Sequence, residues 1–170
     1  YFMLQSPSDM QRILFWLMGS LANRRWDHLA MVWPHALVGT LVLLYYARDM
    51  NLLLEGAESA GYLGVDVVQV RRVLLICAAL LASAAVAVSG IIGFIGLIVP
   101  HLMRLVVGPD HRRLLPAALV GGAAFVAWAD VLTRVLPAKG QIPLGVVTGL
   151  IGAPVFLFLL ARAAREGRVA

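Results

Sequence analysis

The sequence has few charged residues, which make up 14% of its 170 positions, whereas an ordinary soluble domain is about 25% charged. It has a single cysteine, Cys77, so no disulfide can form within the chain. It also lacks an initiator methionine, a charged leader and a secretory cleavage signal, and we expect it to begin inside a longer protein. These absences argue against a soluble domain and against a secreted domain held by disulfides.

Apolar residues are what the sequence has in excess, at 61% of the chain with a mean hydropathy of +0.88. About 20 consecutive apolar residues cross a bilayer as a helix. Four stretches without charge, or with a single aspartate near one end, are long enough to matter, namely 29–47, 73–103, 114–133 and 141–161. The sequence therefore predicts an all-α polytopic membrane bundle of about five spans, one of them a short half-helix.

The longest stretch, from Val73 to Met103, contains no Asp, Glu, Lys or Arg. As one helix it would be about 46 Å long, half as much again as the ~30 Å hydrocarbon core. We therefore predict a break within 89–96, where Gly90, Gly93 and Gly96 permit a turn and close packing. A half-helix over about 97–107 would follow, with Pro100 in its first turn.

The predicted helices cover 31–47, 67–89, 97–107, 114–135 and 144–162, with a polar link at 48–66. If this link is cytoplasmic, nine of the basic residues lie on the cytoplasmic side and five on the other, as the positive-inside rule favours. The net charge of +5 is thus spread between apolar stretches, which does not favour nucleic-acid binding. The nine are Arg48, Arg71, Arg72, Arg104, Arg112, Arg113, Arg162, Arg165 and Arg168, and the five are Arg12, Arg24, Arg25, Arg134 and Lys139.

Small residues recur at intervals of four on the last predicted helix, at Gly145, Gly149 and Ala153. Such a stripe allows another helix to approach closely, either within the chain or in a second subunit. The histidines, in contrast, have no ligand spacing, so no metal site is predicted. They are His28, His35, His101 and His111.

Three segments carry a resemblance to a known family. They read SGIIGFIGLIVPHLMRLVVGPDHRRLLP at 89–116, AD at 129–130 and IPLGVVTGLIGAPVFLFLL at 142–160. With WLMGSL at 16–21 and ARDMNLLL at 47–54, they resemble the C-terminal half of the FecCD family, the permeases of ATP-binding cassette (ABC) importers for iron–siderophore complexes, haem and vitamin B12. The resemblance implies the second half of a permease of roughly ten spans, located in the cell (inner) membrane.

The resemblance divides the chain into 1–30, the end of a preceding span with an external helix, and 31–170, the permease domain. Within the latter, 48–66 would be a cytoplasmic coupling segment that contacts the ATPase. Ala57 and Gly61 depart from the family pattern there, and an amphipathic helix on the bilayer surface is the alternative. The residues implied in coupling are Gly56, Glu58, Ala60, Tyr62, Leu63 and Gly64.

The same resemblance implies three protein partners: a cytoplasmic ABC ATPase, a periplasmic or extracellular substrate-binding protein, and a second permease copy or homologue. Arg134 would dock the binding protein, although such arginines also snorkel to the interface, and Asp130 would bond to a neighbour. No cofactor is expected in this chain, because ATP would bind the partner subunit. The alternatives are an ion-coupled secondary transporter, with Asp130 as its acid, and a serine protease using Ser89 and His101.

Overall fold

A computed structural model describes residues 13, 16–22, 24–135 and 142–165, with side chains described as far as 161. In this part of the chain the secondary structure is helical, without strands. Residues 1–12 of the predicted segment 1–30, the end of a preceding span with an external helix, lie outside the described residues, as do Lys139 and Arg168. The helices are α1 (Trp26–Tyr45), α2 (Ala47–Leu54), α3 (Ala57–Tyr62), α4 (Val67–Ser89), α5 (Ile95–Val107), α6 (His111–Val135) and α7 (Leu144–Arg165).

Four of these helices are long and apolar enough to cross a membrane: α1, α4, α6, and α7 over Leu144–Ala161. Helix α5 is apolar but has only 13 residues, or about 20 Å, which is too short to span alone. Large apolar side chains on the long helices are exposed, as Leu75 at 72% and Trp128 at 70% illustrate. The predicted all-α multi-pass membrane fold is confirmed.

The described chain packs as two compact units. The first combines parts of 1–22, 89–102 and 121–170. Its core contains Ala129, Leu144 and Val147, each at most 6% exposed, and partly buried apolar residues pack against them. Those partly buried residues are Leu21, Ile92, Val126 and Ile142.

The second unit combines 23–88 with 103–120. Here α1 and α4 approach closely at Gly39, where an added Cβ would lie 2.6 Å from the Leu81 side chain. Ala47, Val70 and Leu114 are buried in this unit, each at most 4% exposed. A small residue at the closest approach of two helices is the arrangement typical of membrane bundles.

Several helix boundaries differ from the predicted ones. Helix α1 begins at Trp26 instead of 31, α5 at Ile95 instead of 97, and α6 at His111 instead of 114. Helix α2 was not predicted, because the polar residues of 48–51 suggested a link. The early start of α6 has a local cause, since the Arg112 amide donates to Asp110 Oδ1 at 3.0 Å and so caps the first turn.

Candidate coupling site

Helix α3 is the part of the predicted coupling segment that projects from its unit. Its only buried residue is Ala60, which is fully inaccessible, whereas Tyr62 is 92% and Leu63 is 65% exposed. Glu58 is also exposed. A short helix that fixes one alanine inward and presents an aromatic, an apolar and an acidic side chain outward has the surface of a docking element.

Hydrogen bonds end α3 in a defined geometry. The Val65 amide donates to the Ala60 carbonyl at 3.1 Å, and the Gly64 amide donates to the Gly61 carbonyl at 3.0 Å. These two bonds form a Schellman motif, whose C′ residue must be left-handed, and Gly64 has a φ of +86°. Gly56, at the N-cap, has a φ of +109°, so a left-handed glycine flanks α3 on each side.

The chain turns directly from α3 into α4, whose first turn is capped by Asp66. The Gln69 amide donates to Asp66 Oδ1 at 3.0 Å, which satisfies one of the backbone donors that a helix N-terminus leaves unpaired. A groove of about 310 Å³ lies beside this turn, and its lining includes Arg48 and Asp49 of α2 together with Leu63. Charged and apolar groups thus lie side by side next to the projecting helix.

Helix α2 is joined to the N-terminal end of α6 through the side chain of Asn51. Its Nδ2 donates to Asp110 Oδ1 at 2.6 Å. Its Oδ1 accepts from the His111 backbone N–H at 2.8 Å and lies 2.8 Å from His111 Nδ1. We call Asn51, Asp110 and His111 the amide cluster. His111 is only 9% exposed.

Sequence reasoning missed the amide cluster. Asp110 directly before an apolar helix was a cap signal that could have been read, but nothing local to Asn51 indicates a partner about 60 positions away. The two hydrogen bonds that Asp110 accepts, from the Arg112 amide first and from Asn51 second, hold the pKa of its carboxyl below the ordinary value.

The predicted helix break lies between Ser89 and Ile95, and its glycines differ in their surroundings. Gly90 has a φ of +71°, and a Cβ there would overlap the Trp16 carbonyl oxygen. Gly93 lies in the break and Gly96 lies inside α5, and a Cβ on either would meet no atom within 4 Å. Only Gly90 of the three is therefore required by its backbone.

One further detail of the break was not predicted, and one prediction for the helix after it is wrong. Phe94, which is not glycine, has a φ of +66° and packs against Gly152 of α7, a contact that can hold a residue in a sparsely populated conformation. Pro100 is the sixth residue of α5, so its predicted place in the first turn is wrong. There it removes the helical hydrogen bond to the Gly96 carbonyl.

The N-terminus of α7 is capped by backbone from another part of the chain. The Leu144 amide donates to the Gly19 carbonyl at 3.0 Å, and the Gly145 amide to the Met18 carbonyl at 2.9 Å. A Cβ at Gly145 would overlap this Met18 oxygen. We call Gly19, Gly90, Leu144 and Gly145, together with the backbone carbonyls of Trp16 and Met18, the glycine junction.

The glycine junction gives Gly145 a packing role within the chain. Its lack of a side chain is what lets the backbone of α7 reach the Met18 carbonyl oxygen. Around Gly149 there is open space, and Ala153 is partly exposed. A contact of Gly145, Gly149 and Ala153 with a second subunit stays a prediction.

The remaining candidates are not part of the coupling segment in the sequence. Arg134 Nε bonds to Asp130 Oδ2 at 2.8 Å, and the arginine side chain is 65% exposed, so Asp130 does bond to a neighbour. Ser89 Oγ donates to the Gly90 carbonyl at 3.2 Å. Among the described residues, no three His, Cys, Asp or Glu side chains converge as metal ligands.

Comparison with known proteins decides the family. The model of the FecCD transport family matches residues 1–162. This chain belongs to the FecCD transport family. The resemblance given by the motifs at 89–116 and 142–160 is thereby confirmed, and nothing in the comparisons supports an ion-coupled transporter.

Curated relatives in the family are transport permeases. The cobalamin import system permease BtuC of Halobacterium salinarum is 48% identical over 160 residues, which are 94% of this chain and 43% of the relative. The hemin transport permease HmuU of Yersinia pestis is 45% identical, with 94% and 48% covered. The Fe(3+) dicitrate transport permease FecD of Escherichia coli is 41% identical, with 95% and 51% covered. The chain thus spans about half the length of these relatives.

A solved structure has the same fold. It is described as an inward-facing conformation of a metal-chelate type ABC transporter, with a TM-score of 0.85 and 36% identity. The match covers 92% of this chain and 51% of that one. The fold of this chain is therefore that of an ABC transporter permease.

Proposed function

We propose that this FecCD chain is part of the permease of an ABC importer that carries cobalamin, haem or an iron–siderophore chelate. The relatives are named for the transport of cobalamin, hemin and Fe(3+) dicitrate. The observation that carries the proposal is the geometry of α3, a short helix that exposes Tyr62 at its end and is followed by the exposed Leu63. An exposed short helix of this kind is suited to dock in a cleft of a partner protein that changes conformation.

In this proposal the chain performs no chemistry and holds no cofactor. A cytoplasmic ATPase binds and hydrolyses ATP, and its movement reaches the permease through the coupling segment. The packed helices then switch between outward and inward access as rigid elements. Selection of the chelate would rest largely with a binding protein that delivers it.

The orientation of the coupling segment is supported by two observations. Asn51 and Asp110 are hydrogen bonded, so the link after α1 and the loop before α6 lie together. The arginines of these regions belong to the basic set that we assign to the cytoplasm of the cell, on the inner side of the cell membrane. A second copy of the permease, or a homologue, would complete the assembly.

Arg134 is our candidate for docking the substrate-binding protein. It lies in the last turn of α6 and remains 65% exposed although it is paired with Asp130. An exposed pair of this kind contributes about 0.5 kcal/mol or less to folding. Arg134→Glu should therefore weaken capture of the binding protein while leaving the melting temperature of the permease nearly unchanged. Equal capture by the wild type and the variant would contradict the assignment.

Cross-linking tests the coupling assignment most directly. In full-length permease with Cys77→Ala, a photoreactive maleimide is placed at Tyr62→Cys or, as the matched control, at Ala60→Cys. We expect the first to capture an ATPase and the second, whose site is fully buried, to remain unlabelled. Labelling of Tyr62→Cys by an impermeant maleimide from outside intact cells would overturn the proposal.

The cargo can be identified by spectroscopy. The full-length permease is purified with its binding protein, and the absorption of the bound ligand is recorded. A haem, corrinoid or ferric-catecholate band would each assign a cargo. Capture of a sugar or an amino acid would contradict the proposed substrate class.

A further inference from the structure

The amide of Asn51 makes three contacts with a part of the chain that is remote in sequence. Nδ2 bonds to Asp110 Oδ1 at 2.6 Å, while Oδ1 faces both the backbone N–H and Nδ1 of His111 at 2.8 Å. With the proton on Nδ1, every one of these contacts is a hydrogen bond whose donor and acceptor are matched. One side chain therefore uses both ends of its amide, on the first residue of α6 and on the residue before it.

Asn51 lies close in sequence to the coupling helix α3, so its hydrogen bonds connect the chain near α3 to α6. Helix α2 ends at Leu54, two residues before Gly56 and α3. Along the chain, α3 and α6 are separated by α4, the helix break and α5, a route that passes through the left-handed residues Gly90 and Phe94. The amide cluster bypasses that route, because it joins α2 directly to the start of α6.

The cluster is also more than a helix cap. Asp110 alone caps α6 through its bond from the Arg112 amide, and this cap does not require Asn51. His111 is nearly buried, and a buried polar side chain is normally retained with its partners satisfied. A network with matched donors and acceptors fixes one orientation of the two elements, which an apolar contact would not do.

We propose that Asn51 is a positioning residue that makes α2 and the N-terminal end of α6 move as one body, so that displacement of the coupling segment is transmitted to α6. This inference rests on the proposed function. It deepens that function by naming the joint between the surface that meets the ATPase and a membrane-crossing helix.

The test uses an exchange of partners in the full-length permease, reconstituted with its ATPase in proteoliposomes. N51D places a carboxylate against that of Asp110 and removes the amide donor. D110N alone should be close to wild type, because one oxygen can still serve both the Arg112 cap and Asn51. The double variant N51D/D110N restores an amide facing a carboxylate with the same net charge.

The readout is substrate transported per ATP hydrolysed, which a purely structural defect would not change. We expect N51D to lower this ratio about fivefold or more, with ATP hydrolysis retained, and the double variant to recover at least half of the loss. Q69E, which makes the same amide-to-carboxylate change on α4 outside the cluster, should leave the ratio unchanged. Asn51→Ser, which adds no charge, should lower it as well.

Two results would overturn the inference. One is a ratio that stays at the wild-type value in both N51D and Asn51→Ser while each complex elutes intact on size exclusion. The other is a fall in N51D that the double variant does not reverse although it is folded. Absence of ATP-dependent uptake by the wild-type complex would instead contradict the proposed function, so the two failures are distinguishable.

Discussion

The glycine junction and the amide cluster both cap the N-terminus of a helix, but they use different chemical groups. At the junction, backbone carbonyls of Met18 and Gly19 cap α7 and side chains are kept out. In the amide cluster and at Asp66, side chains supply the acceptors. Backbone groups between apolar helices must be paired within the protein, whereas caps beside polar links can use carboxylates and amides. The first region should be intolerant of added volume and the second of lost polarity.

The sharpest test of this contrast is Gly90→Ala. The left-handed conformation costs a side chain about 1–2 kcal/mol, and the added Cβ would overlap the Trp16 carbonyl oxygen. We expect a loss of about 3 kcal/mol or more in all, measured by chemical unfolding of the full-length protein in detergent micelles. Gly93→Ala is the matched control from the same break and should change stability little. Equal losses in the two variants would contradict the contrast.

Gly145→Ala should have the next largest effect. Its Cβ would push Met18 away from the end of α7, and overpacking of this kind costs about 2 kcal/mol. Gly149→Ala, one turn along the same helix, meets open space and should gain up to about 1 kcal/mol from helix propensity. If Gly149→Ala instead weakens association of two permease copies on size exclusion, the stripe contacts a second subunit.

Asp66→Ala tests the polar region. It removes the acceptor of the Gln69 amide at the start of α4, and loss of such a cap costs about 1 kcal/mol. Asp66→Asn should be nearly neutral, because asparagine caps as well as aspartate does. Thermal unfolding of both variants measures the difference. Equal melting temperatures of Asp66→Ala and Asp66→Asn would contradict the idea that side chains cap this region.

The smallest expected effect is a dependence on acid. The pKa of Asp110 is lowered by its hydrogen bonds in the folded protein. The charged carboxylate therefore stabilises the fold fully at pH values above its ordinary pKa of 3.8. That contribution is lost as pH falls through the lowered pKa. The melting-temperature difference between wild type and D110N should be constant above about pH 5 and change below it. A constant difference down to pH 3 would show that Asp110 does not titrate with folding.

Much of the fold could be predicted because lipid imposes a simple rule on sequence. Four predicted spans and the half-helix α5 appear in the structure, since each requires only a count of apolar residues against the bilayer thickness. The break was found for the same reason, because the run from Val73 to Met103 is too long for one crossing. Helix α2 was missed because its polar residues Arg48, Asp49 and Asn51 suggested a link, and the partners of Asn51 lie about 60 positions away in the sequence.

The candidate sites also have features that could be predicted from the sequence and features that could not. Gly56 and Gly64 mark the ends of α3 in the sequence, because left-handed turns select glycine. Phe94 gave no such signal, since only its contact with Gly152 makes its conformation tolerable. The role of Gly145 could not be separated from that of Gly149, because both stand on one stripe and differ only in what lies opposite.

The sequence by itself determined a multi-pass helical membrane protein, the place where one span breaks, and the family. These follow from apolar length, from glycine and from motifs, all of which are local along the chain. Only the tertiary structure decided that Gly90 and Gly145 admit no side chain and that Asn51 holds the start of α6. Those properties depend on atoms brought together from positions 59 to 127 residues apart, and a linear pattern does not record what a side chain will face.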